Sequence, residues 1–161
     1  MVPTTIDVDP QRSAQMARVR GKNTKPELLV RRALHLAGLR FRLHARELPG
    51  RPDIVFRPKR IAIFVHGCFW HRHDDPDCKL ARLPKSRQEF WGPKLAANAD
   101  RDRRDVALLN EAGWTVETVW ECQLKGSDPL AAVVSRIRDT PSARRSLRNA
   151  NGELKGRDIG P

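Results

Sequence analysis

The sequence predicts a mixed α/β domain with a central mixed sheet flanked by helices. Three observations carry that prediction: a capped helical segment near the start, two β-rich apolar runs joined by a short polar loop, and a later helix–strand–helix alternation. Thr24-Lys25-Pro26-Glu27 is a capping box, in which the Thr and Glu side chains satisfy backbone donors reciprocally. It opens an amphipathic helix whose apolar positions read as Leu28, Leu29, Ala33, Leu36 and Ala37, and Gly38 ends it. Asp53-Ile54-Val55-Phe56 and Ile61-Ala62-Ile63-Phe64-Val65, separated by Arg57-Pro58-Lys59-Arg60, have the pattern of a hairpin. If Phe56 pairs with Ile61, Asp53 lies opposite Phe64, beside the end of the second strand and His66. A helix is expected from Pro93 to Glu111 with Leu95, Ala99, Val106 and Leu109 inward, stopped by Gly113. Trp114 to Trp120 then reads as a strand, and Pro129 to Asp139 as a last helix.

A chain of 161 residues with 39% hydrophobic content suits one domain, read as residues 1–139 with a basic N-terminal arm. Residues 140–161, rich in Arg, Asn, Gly and Ser, offer little to bury and are expected to form a flexible basic tail; Met1 to Asp9 look similarly loose. Lys and Arg number 31 against 19 Asp and Glu, a net charge of +12 that favours a polyanionic partner through counterion release. No run approaches the roughly 18 apolar residues of a membrane span, and no apolar signal core opens the chain, so the reading places it in the cytoplasm. Three cysteines, an odd number, suit a reducing compartment better than a disulfide framework.

Cys68, His73 and Cys78 follow a C-x4-H-x4-C spacing within one loop, and Cys122 comes just after the Trp114–Trp120 strand. Four N and S ligands would close a tetrahedral zinc site with no position open to substrate, a structural rather than catalytic metal. Ordinary buried cysteines beside a surface histidine are the competing explanation, because this spacing is not a common finger pattern.

Leu48-Pro49-Gly50-Arg51-Pro52-Asp53, the hairpin, and Val65-His66-Gly67-Cys68-Phe69-Trp70-His71-Arg72-His73 together resemble the very-short-patch-repair (Vsr) endonuclease family. Phe90-Trp91, Asn98, Arg101-Asp102-Arg103-Arg104-Asp105, Gly113-Trp114 and Val119-Trp120-Glu121-Cys122 resemble its later blocks in the same order, so that Arg12 to Gly126 is covered. The resemblance implies a PD-(D/E)xK restriction-endonuclease-like fold and a magnesium-dependent nick on the 5′ side of the thymine in a T:G mismatch, the lesion left by deamination of 5-methylcytosine. It implies a bacterial enzyme acting at the nucleoid on double-stranded DNA. Asp53 and the main-chain carbonyl of Val65 match metal ligands, His71 the residue that activates water, and Glu27, His66 and Asp102 residues that hold metal-bound waters or orient the site. Relative to the usual motif, Phe64 stands in place of the second acid and His66 in place of the lysine, a departure the family shares.

The chemistry agrees with these assignments. Phosphodiester hydrolysis needs a cation to neutralise charge and a base to supply the nucleophile, and magnesium keeps several waters, so few protein oxygens are required. Each residue also has an ordinary role open to it: a backbone cap for Glu27, a solvated charged helix face for Asp102, a satisfied core position for His66, a turn for Asp53.

Phe69, Trp70 and Trp91 match aromatic residues that the family inserts into the base stack, where a mispaired step is easier to open. Flanked by polar residues, Phe69 and Trp70 are expected to face outward, whereas Trp114 and Trp120 suit core packing. Arg12, Arg18, Arg20, Lys22 and Lys25, with Lys85, Arg87, Arg101, Arg103 and Arg104, are candidates for phosphate contacts. Two alternatives stand beside this reading: a related nuclease with another or relaxed target, and a zinc-stabilised DNA-binding module without turnover. A zinc deaminase is disfavoured because its H-x-E and P-C-x-x-C elements are absent. A monomer is expected, since one nick in one strand needs no two-fold symmetry.

Overall fold

The computed structural model describes residues 22–126 and 129–142. Arg12, Arg18 and Arg20 of the basic arm, the first nine residues, and the tail from 143 onward lie outside the described residues. The elements run α1 (Lys25–Leu36), β1 (Arg42–Leu43), β2 (Ile54–Phe56), β3 (Ile61–His66), α2 (Gln88–Glu111), β4 (Thr115–Trp120) and α3 (Ala131–Asp139), with short 3₁₀ turns at Arg57–Lys59, Lys79–Ala81 and Glu121–Lys125. The sheet order is β1-β2-β3-β4; β1 and β3 each run antiparallel to β2, and β4 lies parallel to β3. A parallel neighbour needs a long crossover, and α2 supplies it.

The hairpin register is the one expected: Phe56 pairs with Ile61 and Ile54 with Ile63. Side chains alternate across β3. Ile61, Ile63 and Val65 pack with Ile54, Phe56, Val119, with Val30 and Leu34 of α1, and with Val133 and Ile137 of α3. Ala62 and Phe64 face the other way, with Val55, Leu109 and the half-buried Val106 and Trp114. Helices therefore cover both faces, and β3 is buried along its whole length, as a central strand with a parallel neighbour should be.

Several sequence expectations need correction. The capping box is present, yet the inward stripe of α1 is Glu27, Val30 and Leu34, while Leu28, Leu29 and Leu36 are 51%, 53% and 76% exposed. The segment carries leucines on more than one face, and the sheet selects the stripe that begins at the capped glutamate. Helix α2 begins at Gln88 rather than Pro93, from Arg87 in the left-handed conformation, and holds Pro93 inside. Leu95 and Leu109 are fully inward but Ala99 and Val106 only half-buried. The last helix starts at Ala131, two residues later than expected, and β4 begins at Thr115. Strand β1 was not anticipated; the alternation of Leu39, Phe41 and Leu43 with arginines was its signal, and Leu39 and Phe41 do pack on the core.

Candidate active site and adjoining metal cluster

The parallel register of β3 and β4 builds the cysteine–histidine cluster. His66 sits opposite Trp120, so two residues further along both chains Cys68 and Cys122 emerge side by side. The Cys122 N–H points at Cys68 Sγ, 3.4 Å away, and Cys122 Sγ lies 3.5 Å from His73 Nδ1. Ligand atoms of Cys68, His73, Cys78 and Cys122 all fall within 4.8 Å of one another, so the four residues the spacing picked out do converge and could hold a metal ion. Burial pushes the Cys68 thiol up to about 12, while the His73 contact draws Cys78 down to about 7. His73 also stacks on Trp120, ring centroids 4.2 Å apart.

Asp53 is placed by the hairpin on the α2 side of the sheet, one position before Ile54, and its Oδ2 accepts the Val65 N–H at 2.8 Å. Burial, only partly opposed by that hydrogen bond, pushes its pKa up to about 6. His66 faces the same side, where burial and the neighbouring His71 push it down to about 4. His71 lies flat against His66, with centroids 3.8 Å apart and planes 5° from parallel. Its Nδ1 is 2.6 Å from Asp102 Oδ2. Asp102 falls seven residues from both Leu95 and Leu109, so it shares the inward stripe of α2 rather than a solvated face. Burial acts to raise the Asp102 carboxyl, but the His71 hydrogen bond and charge outweigh it and hold it below its ordinary value. One turn earlier on that stripe, Asn98 Nδ2 donates to the Trp70 carbonyl at 3.1 Å and ties the aromatic loop to α2.

Asp53, Val65, His66, His71, Asp102 and Glu27 line one cleft of about 580 Å³, whose walls also carry Lys22, Arg46, Arg51 and Arg101. Glu27 is buried, at 3% exposure, and does cap α1, but it also meets Asp53: ligand atoms of Glu27, His44 and Asp53 lie within 4.8 Å of one another. His44 escaped sequence reasoning because β1 did. It follows Leu43, the partner of Ile54, and its N–H donates to the Asp53 carbonyl at 3.0 Å, which sets it directly across from Asp53. Its φ of 48° is left-handed, a strained setting for a residue with a Cβ. Burial and then the Arg31 charge hold its pKa below the usual imidazole value.

Phe69, Trp70 and Trp91 gather into one edge-to-face cluster with centroids 5.1 to 6.0 Å apart, each ring half-buried. Phe90 extends it and is 42% exposed. Trp114 and Trp120 are also only half-buried, Trp114 beneath the Arg60 guanidinium and Trp120 against the two imidazoles. Among the described residues, no helix is long and apolar enough to cross a membrane.

Fold and site together define a mixed α/β protein whose chemistry gathers at the carboxyl ends of two parallel strands, with an imidazole–carboxylate cleft on one side and a cysteine–histidine cluster on the other. Residues 6–79 match the family model described as DNA mismatch endonuclease Vsr. The chain is 51% identical over 124 residues to the type II nicking enzyme V.XorIIP of Xanthomonas oryzae, covering 77% of this chain and 89% of that protein. It is 42% identical over 130 residues to the DNA mismatch endonuclease Vsr of Escherichia coli, covering 80% and 81%. It is 37% identical over 140 residues to the type II nicking enzyme V.NmeAIP of Neisseria meningitidis, covering 84% and 98%. The chain belongs to the Vsr DNA mismatch endonuclease family.

Proposed function

We propose that this endonuclease nicks one strand of double-stranded DNA on the 5′ side of the thymine in a T:G mismatch left by deamination of 5-methylcytosine, using magnesium, on a PD-(D/E)xK-like fold stiffened by a structural zinc ion. The observation that carries the reading is the fixed His71 imidazole in the same cleft as Asp53. With Nδ1–H donated to Asp102, the Nε2 lone pair of His71 is left to take the proton of an attacking water. His66, stacked on the opposite face and kept neutral near pH 7 by its depressed pKa, limits rotation of that ring without adding a competing charge.

Asp53 suits a hard cation. Only its Oδ2 carries a described hydrogen bond, and a carboxylate whose pKa is raised by burial is one that a nearby positive ion stabilises. Asp53 and the Val65 carbonyl would hold magnesium, which when bound would neutralise charge at the phosphate undergoing substitution. Cys68, His73, Cys78 and Cys122 form a complete N and S donor set that suits zinc, and its closure around the loop would fix His71, which lies between two of the ligands in sequence. Phe69, Trp70 and Trp91, anchored through Asn98, would wedge into the base stack, while Lys22, Arg46, Arg51 and Arg101 hold phosphates along the cleft. The nicking relatives support a cut in one strand, consistent with action as a monomer.

The test is incubation of the zinc-loaded protein and magnesium with a hemimethylated T:G duplex, mapping the cut strand and position, alongside a panel of other mismatches and contexts. Asp53→Ala should abolish the nick. Undiminished cutting by that variant refutes the mechanism; cutting of a different mismatch moves the reading to a related nuclease with another target. Metal analysis should find one zinc per chain, lost in Cys78→Ser.

A further inference from the structure

The Trp120 indole is only half-buried, and it stands between the cysteine–histidine cluster and the cleft. It pairs with His66 across the parallel strands, so both side chains leave the sheet on the same face. The indole lies nearly flat on His73, with ring centroids 4.2 Å apart and planes 18° from parallel, and it meets His66 edge to face at 5.2 Å and 71°. His66 in turn lies flat on His71 at 3.8 Å. Four rings thus form one continuous stack, in the order His73, Trp120, His66, His71. Both ends are held: His73 Nδ1 lies 3.5 Å from Cys122 Sγ, and His71 Nδ1 lies 2.6 Å from Asp102 Oδ2.

His71 and His73 are also joined through the backbone, across Arg72 in the left-handed conformation at φ 49°. A backbone fixes where each Cα lies but leaves several side-chain rotamers open, so the plane of a ring is set by what packs against it. His66 belongs to β3 and not to the loop, so only ring contacts link it to the cluster's His73. Indole suits that link. It has only two side-chain torsions to fix, and its electron-rich face favours an imidazole that gives its lone pair to a cation.

We infer that Trp120 is a positioning residue that transmits the rigidity of the cysteine–histidine cluster, through His66, to the His71 imidazole. The inference rests on the readings of that cluster as a zinc site and of His71 as the base. The cluster then reaches the cleft by two routes, the loop backbone and the ring stack, and Trp120 carries the second.

Two measurements on the full-length, zinc-loaded chain test it: the rate at which zinc passes to a chelating dye, and single-turnover nicking of a hemimethylated T:G duplex in magnesium across a range of protein concentrations. Trp120→Leu should speed zinc release and slow nicking at saturation, each by about 10–100-fold, the usual cost of removing a group that orients metal ligands. The half-saturating concentration should stay where it was, because the stack does not touch DNA. Trp120→Phe, which keeps an aromatic ring, should recover most of both losses. Trp114→Leu removes a half-buried indole at the opposite end of β4 and should move neither readout. His73→Cys keeps four ligands but removes the ring that leans on Trp120; one zinc per chain should remain while nicking still slows, and adding Trp120→Leu should slow it little further, since both break one path. Unchanged nicking in His73→Cys overturns the coupling, as does Trp120→Leu moving only one of the two readouts, or Trp114→Leu reproducing both. His73→Cys decides the matter where Trp120→Leu fails to fold. An unaltered chain without zinc, or undiminished nicking by His71→Ala, instead sinks the underlying readings.

Discussion

Asp53 and His66 are shifted in opposite senses by the same cause, burial on the α2 side of the sheet, and the two shifts nearly cancel in stability. Asp53 is raised from 3.8 to about 6, so the folded state binds a proton that the unfolded state releases; its contribution is complete below pH 3.8 and is lost as pH rises through about 6. His66 is depressed from 6.5 to about 4, so its contribution is complete above pH 6.5 and is lost as pH falls through about 4. Each amounts to roughly 3 kcal/mol at 1.36 kcal/mol per pKa unit. In buffer without magnesium, the Asp53 and His66 contributions should therefore nearly offset each other between pH 4 and 6.5, leaving the rise with pH that the depressed His44 adds. Asp53→Asn should uncover a rise with pH across that window, and His66→Gln a fall, both read from urea midpoints. Parallel behaviour of the two variants would refute the opposed shifts. Asp102→Asn belongs to the same scale. Its amide can donate to His71 Nδ1, which moves the ring proton to Nε2 and removes the lone pair proposed to accept from water. The nicking rate at saturating DNA should fall by about 10²–10⁴-fold with little change in duplex affinity. An equal loss of affinity would mean that Asp102 merely holds the loop.

At the scale of elements, the loop between β1 and β2 shows how backbone conformation positions the site. Gly50 has φ +68°, and a Cβ there would meet Asp105 Cβ and Phe64 Cζ at 2.9 Å, so α2 and β3 close directly over it. Gly50→Ala should cost more than about 1 kcal/mol by chemical denaturation, combining a left-handed penalty with a clash against packed neighbours. It should also depress nicking, because Asp53 follows three residues later; a variant as stable as the parent would show that the loop has room to shift. The same loop marks the boundary of what the sequence reveals. The hairpin was legible because two continuous β-rich apolar runs and one short loop allow only a narrow choice of register, and that register led to Asp53. The cysteine–histidine cluster was legible because zinc ligand chemistry is restrictive enough to pair a distant Cys122 with a local C-x4-H-x4-C loop. The burial stripe of α1 was not, since its leucines occupy several faces and only the sheet chooses among them. His44 and Arg31 were not, because their meeting depends on a two-residue strand docking against β2, a contact with no local pattern.

For the whole molecule, a charge of +12 says that a polyanion will be attracted but not where it will lie. The structure separates positive charge that faces the cleft from positive charge engaged elsewhere. Lys22, Arg46, Arg51 and Arg101 line the cleft, whereas Arg136 on α3 is engaged with Glu117, its Nε 2.8 Å from Oε1. Binding to duplex DNA should weaken linearly on a log–log plot against salt, since each neutralised phosphate releases a counterion with a slope contribution of about 0.9. Replacing Arg46 or Arg101 by Ala should therefore lower the slope by about 1 and weaken matched and mismatched duplexes alike, because phosphate contacts carry no base information. Replacing Arg136 should leave the slope within error. Fluorescence anisotropy titrations at four or more salt concentrations, in calcium to prevent cutting, would measure all three variants on one duplex. If Arg136→Ala lowers the slope as much as Arg46→Ala does, DNA is attracted by charge spread over the surface, and the cleft is not the track along which the duplex lies.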